Sequence, residues 1–208
     1  MDKKYGIFYN HQFDVFMVAL KATSKIDQFE VKGNITFLKS ANDIVGINLF
    51  PHEDAPKPEM SFCSEEPTIV NYIQKELEPW IQLRQETQFV IGKILETEAI
   101  PKTHLQLCKV DIKADKPLNI ICGAPNARPG LIGVVATCGT WMPNSQIIAP
   151  KSMMGFETNG MLCSTSELNL TNHHFNKKGI IDLPNVYHHK IGTSFWEDYY
   201  GKRTKLPV

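Results

Sequence analysis

Residues 119–130 read NIICGAPNARPG, where a short apolar run ends abruptly in a turn rich in proline and glycine. Pro125 and Pro129 restrict the backbone of this turn, whereas Gly123 and Gly130 allow dihedral angles that other residues avoid. The stretch therefore predicts a buried strand followed by a rigid turn that presents an amide and a guanidinium side chain.

Further apolar runs lie on both sides of this strand, and glycine or proline separates them. In chain order the strand candidates are FVIGKILETEAI (89–100), LQLCKVDIK (105–113), LNIICG (118–123), IGVVATCG (132–139) and SQIIAP (145–150). Strands at this spacing are typical of a small five-stranded barrel such as the oligonucleotide/oligosaccharide-binding (OB) fold. Gly92 in the first candidate would permit the sharp coiling that barrel closure requires.

The N-terminal part of the chain follows a different pattern. Short alternating runs between residues 5 and 50 indicate a small antiparallel sheet. Residues 64–83 indicate a helix that Ser64 can cap. Its apolar face would consist of Val70, Ile73, Leu77 and Ile81.

These patterns predict a β-rich α+β protein with two domains. The expected limits are 1–84 for an α+β domain, 85–170 for an OB barrel, and 171–208 for a tail that packs on one of the two.

Composition limits the classes of function. The chain has 208 residues, and 42% of them are hydrophobic, as in a globular protein. Its formal net charge is +0, so it lacks the net positive charge that is typical of nucleic-acid-binding proteins. No apolar run approaches the roughly 18 residues that span a bilayer, and the N-terminus lacks a secretory pattern. The five cysteines are dispersed and form no Cys-x-x-Cys pair. We therefore expect a cytoplasmic protein with reduced thiols and no membrane partner.

The region 89–170 resembles the tRNA-binding domain of the phenylalanyl-tRNA synthetase β subunit and of EMAP-II-like proteins. The resemblance is carried by VIGKILE, LCKVD, IICGAPNARPG and GFETNGMLCSTSELNL. IFYN and IVGINLF near the start, with KKGIIDLPNVYHHKIGTSF near the end, resemble the free-standing YtpR-type tRNA-binding proteins. The resemblance implies a non-catalytic tRNA-binding protein that needs no cofactor. Proteins of the translation machinery are further candidate partners, and the oligomeric state stays open, with a homodimer as one option.

Asn126 and Arg128 are the first candidates for RNA contact. Arginine can grip a phosphate with two hydrogen bonds, and asparagine can bind a ribose or a base edge. In the alternative interpretation, Asn126 bonds its own turn and Arg128 is only solvated.

The segment 151–164 supplies the next candidates. The resemblance places Lys151, Thr158, Met161 and Ser164 on or near the RNA-facing surface. A lysine would meet a phosphate, hydroxyl groups would meet phosphate or ribose, and a thioether can lie against a base. Ordinary core filling is the alternative for Met161.

Lys93 and Lys109 alternate with apolar neighbours on predicted strands, which turns both side chains outward. Such lysines usually serve solubility alone, but on an oligonucleotide-binding barrel face they would contact phosphates.

Two departures from the family pattern predict weak, salt-sensitive RNA binding. IPKTHLQL (100–107) retains little of the His-Pro-Asn-Ala-Asp-Lys-Leu segment, and SMMG (152–155) has Met154 where the family has arginine. Each lost phosphate contact removes roughly one unit of salt dependence.

The sequence leaves two other classes of function open. One is a protein-interaction module that keeps the barrel and binds RNA weakly or not at all. The other is a thiol-dependent enzyme built on Cys163, which lies beside the surface motif without an evident base, whereas Cys108 and Cys122 fit buried, inert thiols. The histidine pairs at 173–174 and 188–189 do not match metal-ligand spacing, so we expect no metal site.

Overall fold

A computed structural model describes residues 4–23, 25–170 and 174–203. The described residues form two compact units, the first made of 4–87 with 200–203 and the second of 88–199. The predicted domain limits stay predictions, because compactness does not show which segments fold independently.

The first unit is an antiparallel sheet covered by one helix, as the alternating N-terminal pattern predicts. Its elements are β1 (Gly6–Asn10), β2 (Val15–Ala19), β3 (Gln28–Lys32), β4 (Ile35–Ser40), β5 (Asp43–Leu49) and α1 (Pro67–Leu77). The strand order is β1-β2-β5-β4-β3. Ile7, Val18, Ile47 and Phe37 face one another across four strands and pack with the buried helix residues Ile69, Ile73 and Leu77.

The start of α1 differs from the prediction. Glu66 occupies the N-cap position, and no side chain caps the helix. Ser64 is instead buried, where its hydroxyl accepts a hydrogen bond of 2.8 Å from the Ile7 amide. The predicted cap is wrong because a long-range backbone donor takes the Ser64 oxygen.

The second unit is a nearly closed five-stranded barrel, which confirms the predicted OB-type fold class. Its strands are β6 (Phe89–Ala99), β7 (Gln106–Asp111), β8 (Leu118–Cys122), β9 (Ile132–Thr137) and β12 (Gly160–Leu162), in the order β12-β9-β6-β7-β8. The first half of β6 pairs with β9 and its second half with β7. A register shift between Ile94 and Glu96 bends β6 between these two partners.

The fifth strand lies later in the chain than the sequence predicts. Residues 145–150 form no barrel strand, because Gly139, Met142 and Ile148 close this segment into a loop by backbone hydrogen bonds of 2.7–2.9 Å. A hairpin of β10 (Lys151–Met153) and β11 (Phe156–Thr158) follows and leads into β12.

The tail from 174 to 199 belongs to the barrel unit. The Leu183 amide donates to the Ile132 carbonyl oxygen at 2.7 Å, and the Ile181 amide donates to that of Cys163 at 2.9 Å. A 3₁₀-helix (Asn185–Lys190) and helix α2 (Phe195–Arg203) follow. Trp196 is buried against Phe89, with ring centroids 6.0 Å apart.

Candidate nucleic-acid interface

A cavity of about 500 Å³ opens at one rim of the barrel. We call it the rim cavity. It lies between the end of β8, strand β12 and the tail, and its lining includes Cys122, Gly123, Met161, Ser164, Glu167, Lys177 and Ile180. Two of the stretches that carry the family resemblance, IICGAPNARPG and GFETNGMLCSTSELNL, therefore contribute to one site, together with tail residues such as Lys177 that the sequence did not single out.

Asn126 joins the turn after β8 to the tail. Its side-chain amide donates to the Ile180 carbonyl oxygen at 2.8 Å, and its oxygen accepts from the Ile180 amide at 3.0 Å. The neighbouring Gly179 has φ +76°, and a Cβ there would lie 2.1 Å from the Asn126 oxygen. Asn126 thus acts as a backbone mimic that holds Ile180, a residue that lines the rim cavity.

Arg128 reinforces the same junction. Its Nη2 donates to Asp182 Oδ2 at 2.8 Å, and its Nη1 donates to the Asn126 carbonyl oxygen at 3.2 Å. We call the set Asn126, Arg128, Ile180 and Asp182 the rim clamp. Neither interpretation drawn from the sequence anticipated it, since one assigned the two side chains to RNA and the other assigned them to their own turn and to solvent.

Ser164 lies at the start of a tight turn on the opposite wall. Its amide and its hydroxyl both donate to Glu167 Oε2, at 2.7 and 2.6 Å. The Glu167 carboxylate is therefore fixed at the rim cavity with two donors already bound. A fixed carboxylate favours base or amide donors over phosphate at this position.

Thr158 links β8 to the start of β12 beside the rim cavity. Its Oγ1 accepts from the Ile121 amide at 3.2 Å and donates to the Gly160 carbonyl oxygen at 3.3 Å. Lys151 pairs with Thr158 across the β10–β11 hairpin and is exposed. The tip of the same hairpin exposes 42% of Met153 and 62% of Met154, which gives it a soft apolar surface.

Lys93 and Lys109 lie on β6 and β7, and neither lines the rim cavity. Lys109 is exposed and binds Glu96 at 2.8 Å, whereas Lys93 is half-buried opposite Asp111. The structure thus brings Met161 and Ser164 into one cavity, joins Asn126 to the lining residue Ile180, and leaves these two lysines on the strands. Their roles in RNA contact stay predictions.

The thiols of Cys108 and Cys122 are buried, as the sequence predicts. Cys163 is fully buried, and burial raises the pKa of its thiol well above the ordinary value. Its position beside the surface motif therefore gives no exposed thiol, because the Cys163 amide and carbonyl pair with β9 and the tail and the side chain is buried. Cys122 lines the rim cavity instead. A hydrogen bond from the Cys108 thiol, aided by one of 3.4 Å from the Ala124 amide, lowers the pKa of Cys122.

Iodoacetamide is expected to alkylate Cys122 at least about tenfold faster than Cys163 in the folded protein, because the thiolate is the reactive species. Since the pKa of Cys122 is lowered, its rate should rise with pH and level off earlier than for an unperturbed thiol. Peptide mass spectrometry over a pH series measures both rates, with Cys122→Ser as the control. Faster labelling of Cys163 would contradict this assignment and revive the thiol-enzyme hypothesis.

The described part of the chain holds no group of three or more side chains placed to bind a metal ion, and His173 lies outside it. None of the described helices is long and apolar enough to cross a bilayer.

Comparison with known proteins finds relatives of the barrel region and relatives of nearly the whole chain. The family described as "Putative tRNA binding domain" matches residues 89–188, which covers the barrel and the tail that completes its rim. The "Uncharacterized protein MG449 homolog" of Mycoplasma pneumoniae is 30% identical, with 98% of this chain and 94% of the relative covered. The MG449 protein of Mycoplasma genitalium is also 30% identical, over 80% of this chain and 75% of that protein.

The phenylalanine–tRNA ligase beta subunit of Bartonella henselae is 46% identical over 109 residues, which are 51% of this chain and only 13% of that protein. The similarity to the ligase is thus confined to one small part of a much longer subunit. The chain therefore belongs to the family of MG449-like proteins, and its residues 89–188 match the tRNA-binding domain.

Proposed function

We propose that the protein is a non-catalytic, cytoplasmic tRNA-binding protein whose barrel rim contacts the RNA backbone. One observation carries the proposal. The matched family region, 89–188, includes both walls of the rim cavity and the tail segment that the rim clamp fastens. The free thiols of all five cysteines support a reducing location.

The cations available to RNA are those without an acidic partner. Among the described residues of the second unit these are Lys102, Lys116, Lys151, Lys177 and Lys178, whereas Lys109, Lys113, Arg128 and Lys190 are held in ion pairs and Lys93 lies opposite Asp111. Lys177 lines the rim cavity and Lys151 lies beside the exposed methionine tip. We therefore assign phosphate contacts first to these two lysines.

The other predicted residues take different roles in this proposal. Met161 offers an apolar contact inside the rim cavity, where a base can lie against its thioether. Asn126, Arg128, Thr158 and Ser164 already use their polar atoms within the protein, so they position the rim. RNA would compete for Arg128 only by displacing Asp182.

Unfractionated tRNA is expected to bind at about 50 mM salt and to weaken steeply by about 150 mM, as counterion release requires. Replacing Lys151 and Lys177 together with alanine should weaken binding about tenfold and reduce the salt slope by roughly 1.5 to 2 units. Fluorescence anisotropy with labelled tRNA measures both quantities. The control is Lys25→Ala with Lys75→Ala, which removes the same charge from the first unit.

Absence of binding at the lower salt concentration would overturn tRNA binding. If both double variants lose the same tRNA affinity, the net charge of the protein determines binding, and the two rim lysines have no specific role.

The ion pairs of Lys109 and Arg128 favour one alternative, a translation-associated protein-interaction module. This module would show no tRNA affinity in the same titration. It would also retain a synthetase or ribosomal protein after nuclease treatment, which a purely RNA-mediated association would not do.

A further inference from the structure

The two edge strands of the sheet in the first unit differ in whether their outer backbone groups are paired. Residues 61–63 pair with the outer side of β1: the Tyr9 amide donates to the Ser61 carbonyl oxygen at 2.7 Å, and the Cys63 amide donates to that of Ile7 at 3.0 Å. Strand β3 forms the other edge, and its outer side pairs with no residue in the described ranges. An open edge strand is a template for pairing with another strand.

Strand β3 also exposes apolar side chains. Phe29 is 73% exposed and Val31 is 58% exposed, on the sheet face away from α1. On the neighbouring strand β4, Leu38 lies opposite Phe29 and Thr36 lies opposite Val31 on this face. A single exposed apolar residue is ordinary, but two on one open edge strand form a patch that a neighbouring strand would cover.

The turn that precedes β4 defines which backbone groups face outward. Gly33 has φ +61°, and Lys32 pairs with Ile35 across a two-residue hairpin turn. The pair that flanks such a turn is hydrogen-bonded, and bonded and non-bonded pairs then alternate along an antiparallel ladder. The amide and carbonyl groups of Val31 and Phe29 therefore point away from β4 and are available to another strand.

The charges of β3 favour the register centred on Val31 over the register centred on Glu30 for a second copy. Glu30 and Lys32 share the face opposite to Phe29 and Val31, and Glu30 binds Lys32 and Lys39 at 2.8 and 2.6 Å. If Val31 lies opposite Val31 of an antiparallel second copy, each Glu30 faces a Lys32 across the two-fold axis. A shift to the register centred on Glu30 would bring two carboxylates together, and like charges directly opposite are destabilising.

We propose that the protein forms a two-fold symmetric dimer in which the β3 strands of two copies pair antiparallel about Val31. The contact joins the two sheets into one continuous sheet and covers Phe29 and Val31. Two Glu30–Lys32 pairs fix its register, so the interface is self-complementary as a two-fold contact requires. The paired segment is short, which places the interface among the small, concentration-dependent ones.

Analytical ultracentrifugation of the full chain over a protein concentration series tests the proposal. Glu30→Lys and Lys32→Glu each place like charges opposite each other in the homodimer, and each should weaken dimerisation at least tenfold. A 1:1 mixture of the two variants restores opposite charges at every position, so it should form a heterodimer at concentrations where each variant alone is monomeric.

Matched controls are Glu53→Lys and Lys25→Glu, which change the same charges away from β3 and should dimerise like the unchanged protein. Val31→Pro adds a variant that removes the outward amide, and circular dichroism checks that each variant is folded. A wild-type protein that stays monomeric would overturn self-pairing and leave the edge to a strand of another protein. Dimers insensitive to both reversals would overturn the use of β3, and failure of the mixture to associate would overturn the register.

Discussion

Replacing Gly92 with alanine is expected to lower the free energy of unfolding of the barrel by about 2 to 3 kcal/mol. An added Cβ would lie 2.7 Å from Val135 Cγ2 and 3.0 Å from Val110 Cγ1. Both valines are fully buried, and a β-branched side chain has few other rotamers in a packed core. The new methyl group therefore forces β6 away from β7 and β9, the two strands that it joins.

Amide hydrogen exchange of β6 and β9 measures this loss strand by strand, which is useful in a chain with two compact units. Gly201→Ala in α2 is the control, because a Cβ there meets no atom within 4 Å. The control should leave barrel protection unchanged. Unchanged protection in Gly92→Ala as well would contradict the account of closure by close packing at this glycine.

Replacing Gly179 with alanine should release the tail from the rim clamp. The substitution places Cβ 2.1 Å from Asn126 Oδ1 and requires φ near +76°, which side chains other than glycine rarely adopt. We expect a loss of about 3 kcal/mol at this junction, because steric overlap separates the two Asn126–Ile180 hydrogen bonds. The Ile180 amide should then exchange at least about 100-fold faster.

Gly130→Ala is the matched control for this prediction. Gly130 has a similar φ of +87°, but an added Cβ meets no atom within 4 Å, so the change adds backbone strain of about 1 kcal/mol without a collision. If both variants release the tail equally, the steric role of Asn126 is wrong. If neither does, the tail is held by other contacts than the rim clamp.

Local patterns in the sequence were sufficient for most of the fold. Short strand-like runs between residues 5 and 50 predicted the first sheet, and Ile7, Val18 and Ile47 are buried together on one of its faces. The spacing of the barrel strands likewise predicted an OB-type barrel. Gly92 was assigned to coiling, and the structure adds the close approach of Val110 and Val135 as a further reason for a glycine.

The features that the sequence did not predict depend on contacts between distant residues. Ile147 and Ile148 have the composition of a strand, but their segment closes on residues 139–142, and β12 becomes the fifth strand instead. Asn126 bonds Ile180 across 54 positions of sequence, and no local pattern shows which distant backbone group an exposed-looking amide will bind. Lys177 and Glu167 were missed at the site for the same reason.

The rim clamp has a consequence for biosynthesis. A ribosome produces the turn that contains Asn126 long before it adds Ile180 and Asp182, so the emerging barrel meets its surroundings with one wall of the cavity missing. Until the tail arrives, the side-chain amide of Asn126 lacks Ile180 as its partner, and the guanidinium of Arg128 lacks Asp182. The rim cavity is therefore complete only after translation has passed Ile180 and Asp182.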